Sequence, residues 1–224
     1  QDMIVFLKKL GCNINFIGKR KILIIGTKKL KNTVHDVIFD RIELGTYLIA
    51  AALVGKKIIF SKIKPKIIKT ELKLLKTMGV KMKVGKNKII IFESKKINNV
   101  NIKTEPYPGF PTDLQAQIMV LMLRASGKSK ITENIFENRF MHVPELRRMG
   151  AKITTKKNIA FVSGPTNLSG AEVMATDLRA SVSLVLAALA ADNTTIINRV
   201  YHLDRGYENL EKKLKKCKAD IKRV

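Results

Sequence analysis

Apolar residues fall along this chain in two alternating patterns. Three windows, RIELGTYLIAAALV from Arg41, LQAQIMVLMLRAS from Leu114 and LRASVSLVLAALAA from Leu178, are apolar on nearly every side. A helix without a polar stripe has no face to offer water, so all three are expected to lie buried inside the fold. A β-branched strand is predicted after each one, in KKIIFSKI, KSKITENIF and TTIINRV. An amphipathic helix follows, and its polar face is expected to carry most of the lysines.

The same alternation contains a repeat. LKKLGCNINF from Leu7, LKTMGVKMKV from Leu75, LRRMGAKITT from Leu146 and LKKCKADIKRV from Leu214 each read as a helix end, a stop, and one or two strands. Gly11, Gly79 and Gly150 supply the left-handed residue that ends a helix, a conformation a β-carbon disfavours. Lys218 stands there in the fourth copy, so that helix end is expected to be capped less comfortably. The spacing of about seventy residues exceeds the common solenoid periods and suits one βαβαββ unit per copy. Residues 1–38 then read as the second half of one unit, helix, glycine, strand, turn, strand. Residues 39–224 read as three units, the last incomplete. Gln1 and the half-unit behind it lead to the expectation that the chain begins inside a longer protein.

Composition narrows the class. Of 224 residues, 46% are hydrophobic, enough for a real core, yet lysine or another polar residue interrupts every Ile/Leu run before membrane-spanning length. A net charge of +25 raises a nucleic-acid reading. Against it, the excess is scattered lysine, aromatics are 6% and tryptophan is absent, so stacking platforms are scarce. A solvated basic surface that attracts anionic substrates is the expected reading, with no membrane and no nucleic-acid partner. Cys12 and Cys217 give neither a disulfide framework nor metal-ligand spacing, and free thiols suit a reducing compartment, the cytoplasm by default.

Several residues invite chemistry, each with a structural alternative. Asp40, Asp113 and Asp177 all precede an apolar helix, which is what an N-cap does. Asp113 differs in its approach loop, EPYPGFP, stiffened by Pro106, Pro108 and Pro111. Arg205, in LDRGYE, is expected at a helix start, capped by Asp204, with Gly206 permitting close approach; alternatively it is a surface arginine. Arg179 would sit near the start of a buried helix, where a charge needs an acidic partner or an anion. Ile135 and Phe136 read by residue type as core. His142 and His202 have no third ligand at metal spacing and read as structural.

Five segments together resemble the UDP-N-acetylglucosamine 1-carboxyvinyltransferases: DRIELGTYLIAAA (40–52), PGFPTDLQAQ (108–117), ENIFENRFMHVPELRRMGA (133–151), ATDLRAS (175–181) and YHLDRGYE (201–208). They stand in the family's order and span essentially the whole chain. The sister family, the shikimate-pathway enolpyruvyl transferases, shares the fold, but the FENRFMHVPEL stretch favours the amino-sugar branch. The resemblance implies an α/β (α+β) fold of inside-out barrel domains, each of three βαβαββ units, with helices inside and sheets outside. Residues 1–38 would end the first domain and 39–224 would form the second without its N-terminal strand.

The activity so implied is transfer of the enolpyruvyl group of phosphoenolpyruvate to the sugar 3-hydroxyl, with no cofactor and no metal. The resemblance makes Asp113 the general base and Arg205 a phosphoenolpyruvate ligand, both catalytic. It adds Asp40, Ile135, Phe136, Arg139, Asp177 and Arg179 as substrate-binding residues. The family's acid cysteine and Lys-Asn pair belong to the other domain, and neither Cys12 nor Cys217 lies in a similar loop. The missing N-terminal half would therefore be an obligate partner. Two rival readings remain, a shikimate-branch transferase and a non-catalytic basic binding fragment.

Overall fold

The computed structural model describes residues 1–18 and 21–224. They divide into two units, residues 1–40 and 41–224. The first holds helix α1 (Asp2–Lys9) and the antiparallel pair β1 (Asn13–Phe16) and β2 (Ile22–Ile25).

The second unit begins with α2 (Arg41–Val54), β3 (Lys57–Ser61), α3 (Lys69–Thr77), β4 (Met82–Val84) and β5 (Lys88–Phe92). Its middle part is β6 (Ile97–Asn98), β7 (Asn101–Lys103), α4 (Gln115–Met122), β8 (Ala125–Thr132), α5 (Val143–Arg148), β9 (Ile153–Lys156) and β10 (Ile159–Gly164). It closes with β11 (Glu172–Met174), α6 (Leu178–Ala190), β12 (Ile196–Asn198), α7 (Tyr201–Asp204) and α8 (Leu210–Lys216). One sheet runs β3-β5-β4, a second centres on β8 and β10, and β11 pairs with β12 in parallel.

The three apolar helices are buried and pack on one another, α2 on α4, α2 on α6 and α4 on α6. All eight residues of α4 are buried. Leu48, Met119, Leu121 and Leu184 have no exposed surface, and burying such a side chain stabilises by about 1.5–3 kcal/mol. Strands β5, β8 and β10 cover this helical centre, and buried and partly exposed residues alternate along β5 and β10. Helices therefore lie inside and sheets outside, as the apolar pattern requires. Gly45 lets α2 approach the turn that follows β7, because a methyl there would overlap the side chain of Leu114.

The four repeated helix ends share one device. The backbone is left-handed at Gly11 (φ 96°), Gly79 (83°), Gly150 (91°) and also Lys218 (69°). In each copy that residue donates its N–H three residues back, and the next residue donates to the repeat's leucine carbonyl, as in Gly150 to Arg147 and Ala151 to Leu146. This closes the orphan carbonyls of the helix. Lys218 adopts the geometry despite its β-carbon. The strand expected after it does not form: residues 219–224 have no ladder partner, and Arg223 binds Asp204 instead.

Candidate active site

Asp113 does not cap its helix. It lies within a 3-10 turn, Thr112–Leu114, whose first flanking residue is Pro111, and α4 begins after Leu114 without a side-chain cap. The capping reading fails here, and the carboxylate is turned toward two arginines instead. Oδ1 of Asp113 accepts from Nε of Arg179 at 2.8 Å and from Nη2 of Arg139 at 3.1 Å. All three side chains are partly enclosed, Asp113 being 30% exposed. Arg179 thus has the acidic partner that its place in the first turn of α6 demanded.

Asp177 does cap its helix. Its Oδ1 accepts from the backbone N–H of Arg179 at 2.7 Å and of Ala180 at 3.0 Å. This holds the positive end of the α6 dipole at the site. Beside it opens a cleft of about 390 Å³, lined among others by Phe136, Asn138, Arg139, Asp177, Arg179 and Arg205. Arg205 arrives differently from expectation. It ends the short helix α7 rather than starting a helix, and Asp204 caps nothing, being held by Arg223 at 2.6 and 3.1 Å. That pair keeps the Asp204 carboxyl below the ordinary range. Gly206 does permit a close approach, since a β-carbon there would sit 2.9 Å from the Leu178 side chain. Among the described residues Arg205 forms no ion pair, so the cleft contains an uncommitted cation.

The loop after β8 forms another wall. KSKITENIF is not strand throughout, because β8 stops at Thr132 and the chain turns. Ile135 and Phe136 are 36% and 54% exposed, which overturns the core reading. The guanidinium of Arg139 lies 4.9 Å from the Phe136 ring centre, a cation–π contact. Asn138, left-handed at φ 51°, makes the bend between them. Beneath the loop, His142 is buried and its imidazole is lowered to about 4, chiefly by burial, with Asp177 opposing and Arg139 reinforcing the shift. Asp40 ends the first unit and is exposed. Among the described residues no group of three His, Cys, Asp or Glu could hold a metal ion, and no helix is long and apolar enough to cross a membrane.

Two groups escaped the sequence reading. Glu133 is a buried carboxylate at the base of the loop, bound by Thr104 and Thr112. Gln117 ties α4 to Thr46 at 3.1 Å and to the Asp113 carbonyl at 2.9 Å, while Thr46 meets the Tyr207 hydroxyl at 2.8 Å. The only sequence signal for the second network was a polar residue, Thr46 or Gln117, inside an otherwise apolar helix.

Buried helices, external sheets and an arginine-rich cleft at a helix N-terminus define a class. The profile of the EPSP synthase (3-phosphoshikimate 1-carboxyvinyltransferase) family matches residues 1–214, and the chain belongs to this family of enolpyruvyl transferases. Within it, the chain is 58% identical over its whole length to the UDP-N-acetylglucosamine 1-carboxyvinyltransferase of Pelagibacter ubique, covering 54% of that protein. The corresponding enzyme of Geobacter metallireducens is 53% identical, again with 54% of its length covered. Among solved structures, the enolpyruvyl transferase NikO from Streptomyces tendae matches with a TM-score of 0.90 at 31% identity, over 99% of this chain and 53% of that one. EPSP synthase from Acinetobacter baumannii shares the fold, with a TM-score of 0.72 at 18% identity, over 94% of this chain and 52% of that one. The chain spans about half the length of the curated relatives it matches.

Proposed function

We propose that this chain forms one wall of the active site of a cytoplasmic UDP-N-acetylglucosamine enolpyruvyl transferase. Such an enzyme starts peptidoglycan synthesis and so serves cell shape and division. The sugar 3-hydroxyl adds to C2 of phosphoenolpyruvate while C3 gains a proton, giving a tetrahedral phospho-ketal. Loss of phosphate and of a C3 proton then yields the enolpyruvyl ether. Asp113 takes the hydroxyl proton as general base. Arg205, with Arg179 and Arg139, neutralises the carboxylate and phosphate, for which a planar guanidinium suits better than lysine. Ile135, Phe136, Asp177 and Asp40 contact the nucleotide sugar. The acid for C3 comes from the other half of the architecture, represented in the uncovered half of the relatives' length. Residues 1–38 end that first domain, and residues 39–224 form the second without its N-terminal strand.

The observation that carries this reading is Arg205. It is an unpaired guanidinium in the same cleft as two arginines already gathered on one carboxylate. The relatives above 50% identity support the amino-sugar acceptor over a shikimate phosphate. The test is phosphate release by a protein uniting this chain with its complementary half. Release from phosphoenolpyruvate with UDP-N-acetylglucosamine, and none with shikimate 3-phosphate, is the expected result. Release only with the shikimate acceptor overturns the substrate assignment. No release with either, together with salt-sensitive retention on DNA, points to a basic binding module.

A further inference from the structure

The chemistry above makes no use of Glu133, although this carboxylate is only 2% exposed. A charge so enclosed is costly unless its lone pairs are filled. Four donors fill them. Oε1 accepts from the Thr104 hydroxyl at 2.7 Å, the Ile135 N–H at 2.9 Å and the Phe136 N–H at 3.2 Å. Oε2 accepts from the Thr112 hydroxyl at 2.9 Å. The Glu133 backbone is itself clamped, its N–H donating to the Asn158 carbonyl at 2.8 Å and its carbonyl accepting from Asn158 Nδ2 at 2.9 Å. Thr104 also accepts the N–H of Asn134 at 2.9 Å.

One carboxylate therefore joins three segments: the residue after β7, the turn carrying Asp113, and the loop carrying Ile135, Phe136 and Arg139. Two of its four bonds go to backbone N–H groups of the loop itself. They end strand β8 and hold Ile135 and Phe136 outward, where a core-type pair would otherwise seek burial. The fourth bond reaches Thr112, the neighbour of Asp113.

We infer that Glu133 is a positioning residue for the acceptor substrate: its buried carboxylate holds the Ile135–Phe136 backbone at a set distance from the Asp113 turn, and so governs acceptor affinity. This rests on the enolpyruvyl-transfer reading, in which that loop contacts the nucleotide sugar. Glutamine keeps one acceptor oxygen and the side-chain length, whereas alanine leaves all four donors unfilled. Aspartate keeps the charge but withdraws it by one methylene.

The test uses Glu133→Ala, Glu133→Gln and Glu133→Asp in the complete enzyme, with KM measured for each substrate. Glu133→Ala is expected to raise KM for UDP-N-acetylglucosamine about 10- to 100-fold, the scale of a lost charge-assisted bond network. Its KM for phosphoenolpyruvate should change less than about threefold, since none of the four bonds reaches Arg205, Arg179 or Arg139. Glu133→Gln should recover most of the loss, and Glu133→Asp, which also serves should the alanine variant not fold, should fall between them. Amide exchange at Ile135 and Phe136 should quicken in the aspartate and alanine variants while the β10 amides hold their rates. Equal rises in both KM values, or unaltered exchange at Ile135 and Phe136, overturn the proposal. Quickened exchange in a protein that transfers no enolpyruvyl group upholds the anchor and overturns only the activity on which its substrate was named.

Discussion

A carboxylate that receives two guanidinium donors is held in a set direction, and Asp113 is so held by Arg139 and Arg179. Replacing it with asparagine keeps the shape but removes the basicity and both ion pairs. Asp113→Asn is expected to lower kcat about 100- to 10,000-fold, the range of a lost general base, as measured by phosphate release in the complete enzyme. His142 gives a residue-scale prediction that is independent of activity. Its folded value lies near 4 against an ordinary 6.5, so the unfolded chain binds the proton more readily. This group therefore costs no stability above pH 6.5, and below it subtracts about 1.4 kcal/mol per pH unit down to about pH 4. Urea unfolding at pH 7 and pH 5 should show that loss, and His142→Gln should flatten it. The residues that sequence misjudged were those whose surroundings are non-local. Asp113 looked like a cap because Asp177 and Asp40 stand in the same place, and only the fold brings Arg139, 26 positions away, to its oxygen.

At the scale of elements, the sequence was most legible where the period was strong. The three apolar helices announced their burial, and three glycines announced helix ends that the structure places at positive φ. Element boundaries were less legible because side chains decide them. Strand β8 stops at Thr132 since the next residue turns its carboxylate onto the N–H groups of the following loop, and no alternation of apolar residues encodes that. The helix-end device predicts its own substitutions. Gly150→Ala forces a β-carbon into the left-handed region and is expected to cost about 1–2 kcal/mol. Lys218→Gly relieves the same strain in the fourth copy and should stabilise by about 0.5–1 kcal/mol, less what glycine loses in the unfolded chain. Urea midpoints at unchanged slope would check both.

For the whole molecule, the charge of +25 acts as a field rather than as a set of contacts. Raising the ionic strength from about 0.1 M to about 1 M shortens the screening length from about 10 Å to about 3 Å. The KM for phosphoenolpyruvate should then rise by about 3- to 10-fold, mostly through slower association, and stopped-flow binding at several salt concentrations would resolve the rate. The seated carboxylate of Asp113 has a consequence for what may enter that field. A visitor must outcompete an anion already docked on Arg179 and Arg139, so chloride or acetate, with one charge, gains little by coming in. A ligand bringing two negative groups can take Arg205 with one and draw a guanidinium off Asp113 with the other. Under the proposed function, arrival of such a ligand would be the event that frees Asp113 as the base, and the ion pairs to Arg139 and Arg179 would keep that carboxylate occupied until the ligand is present.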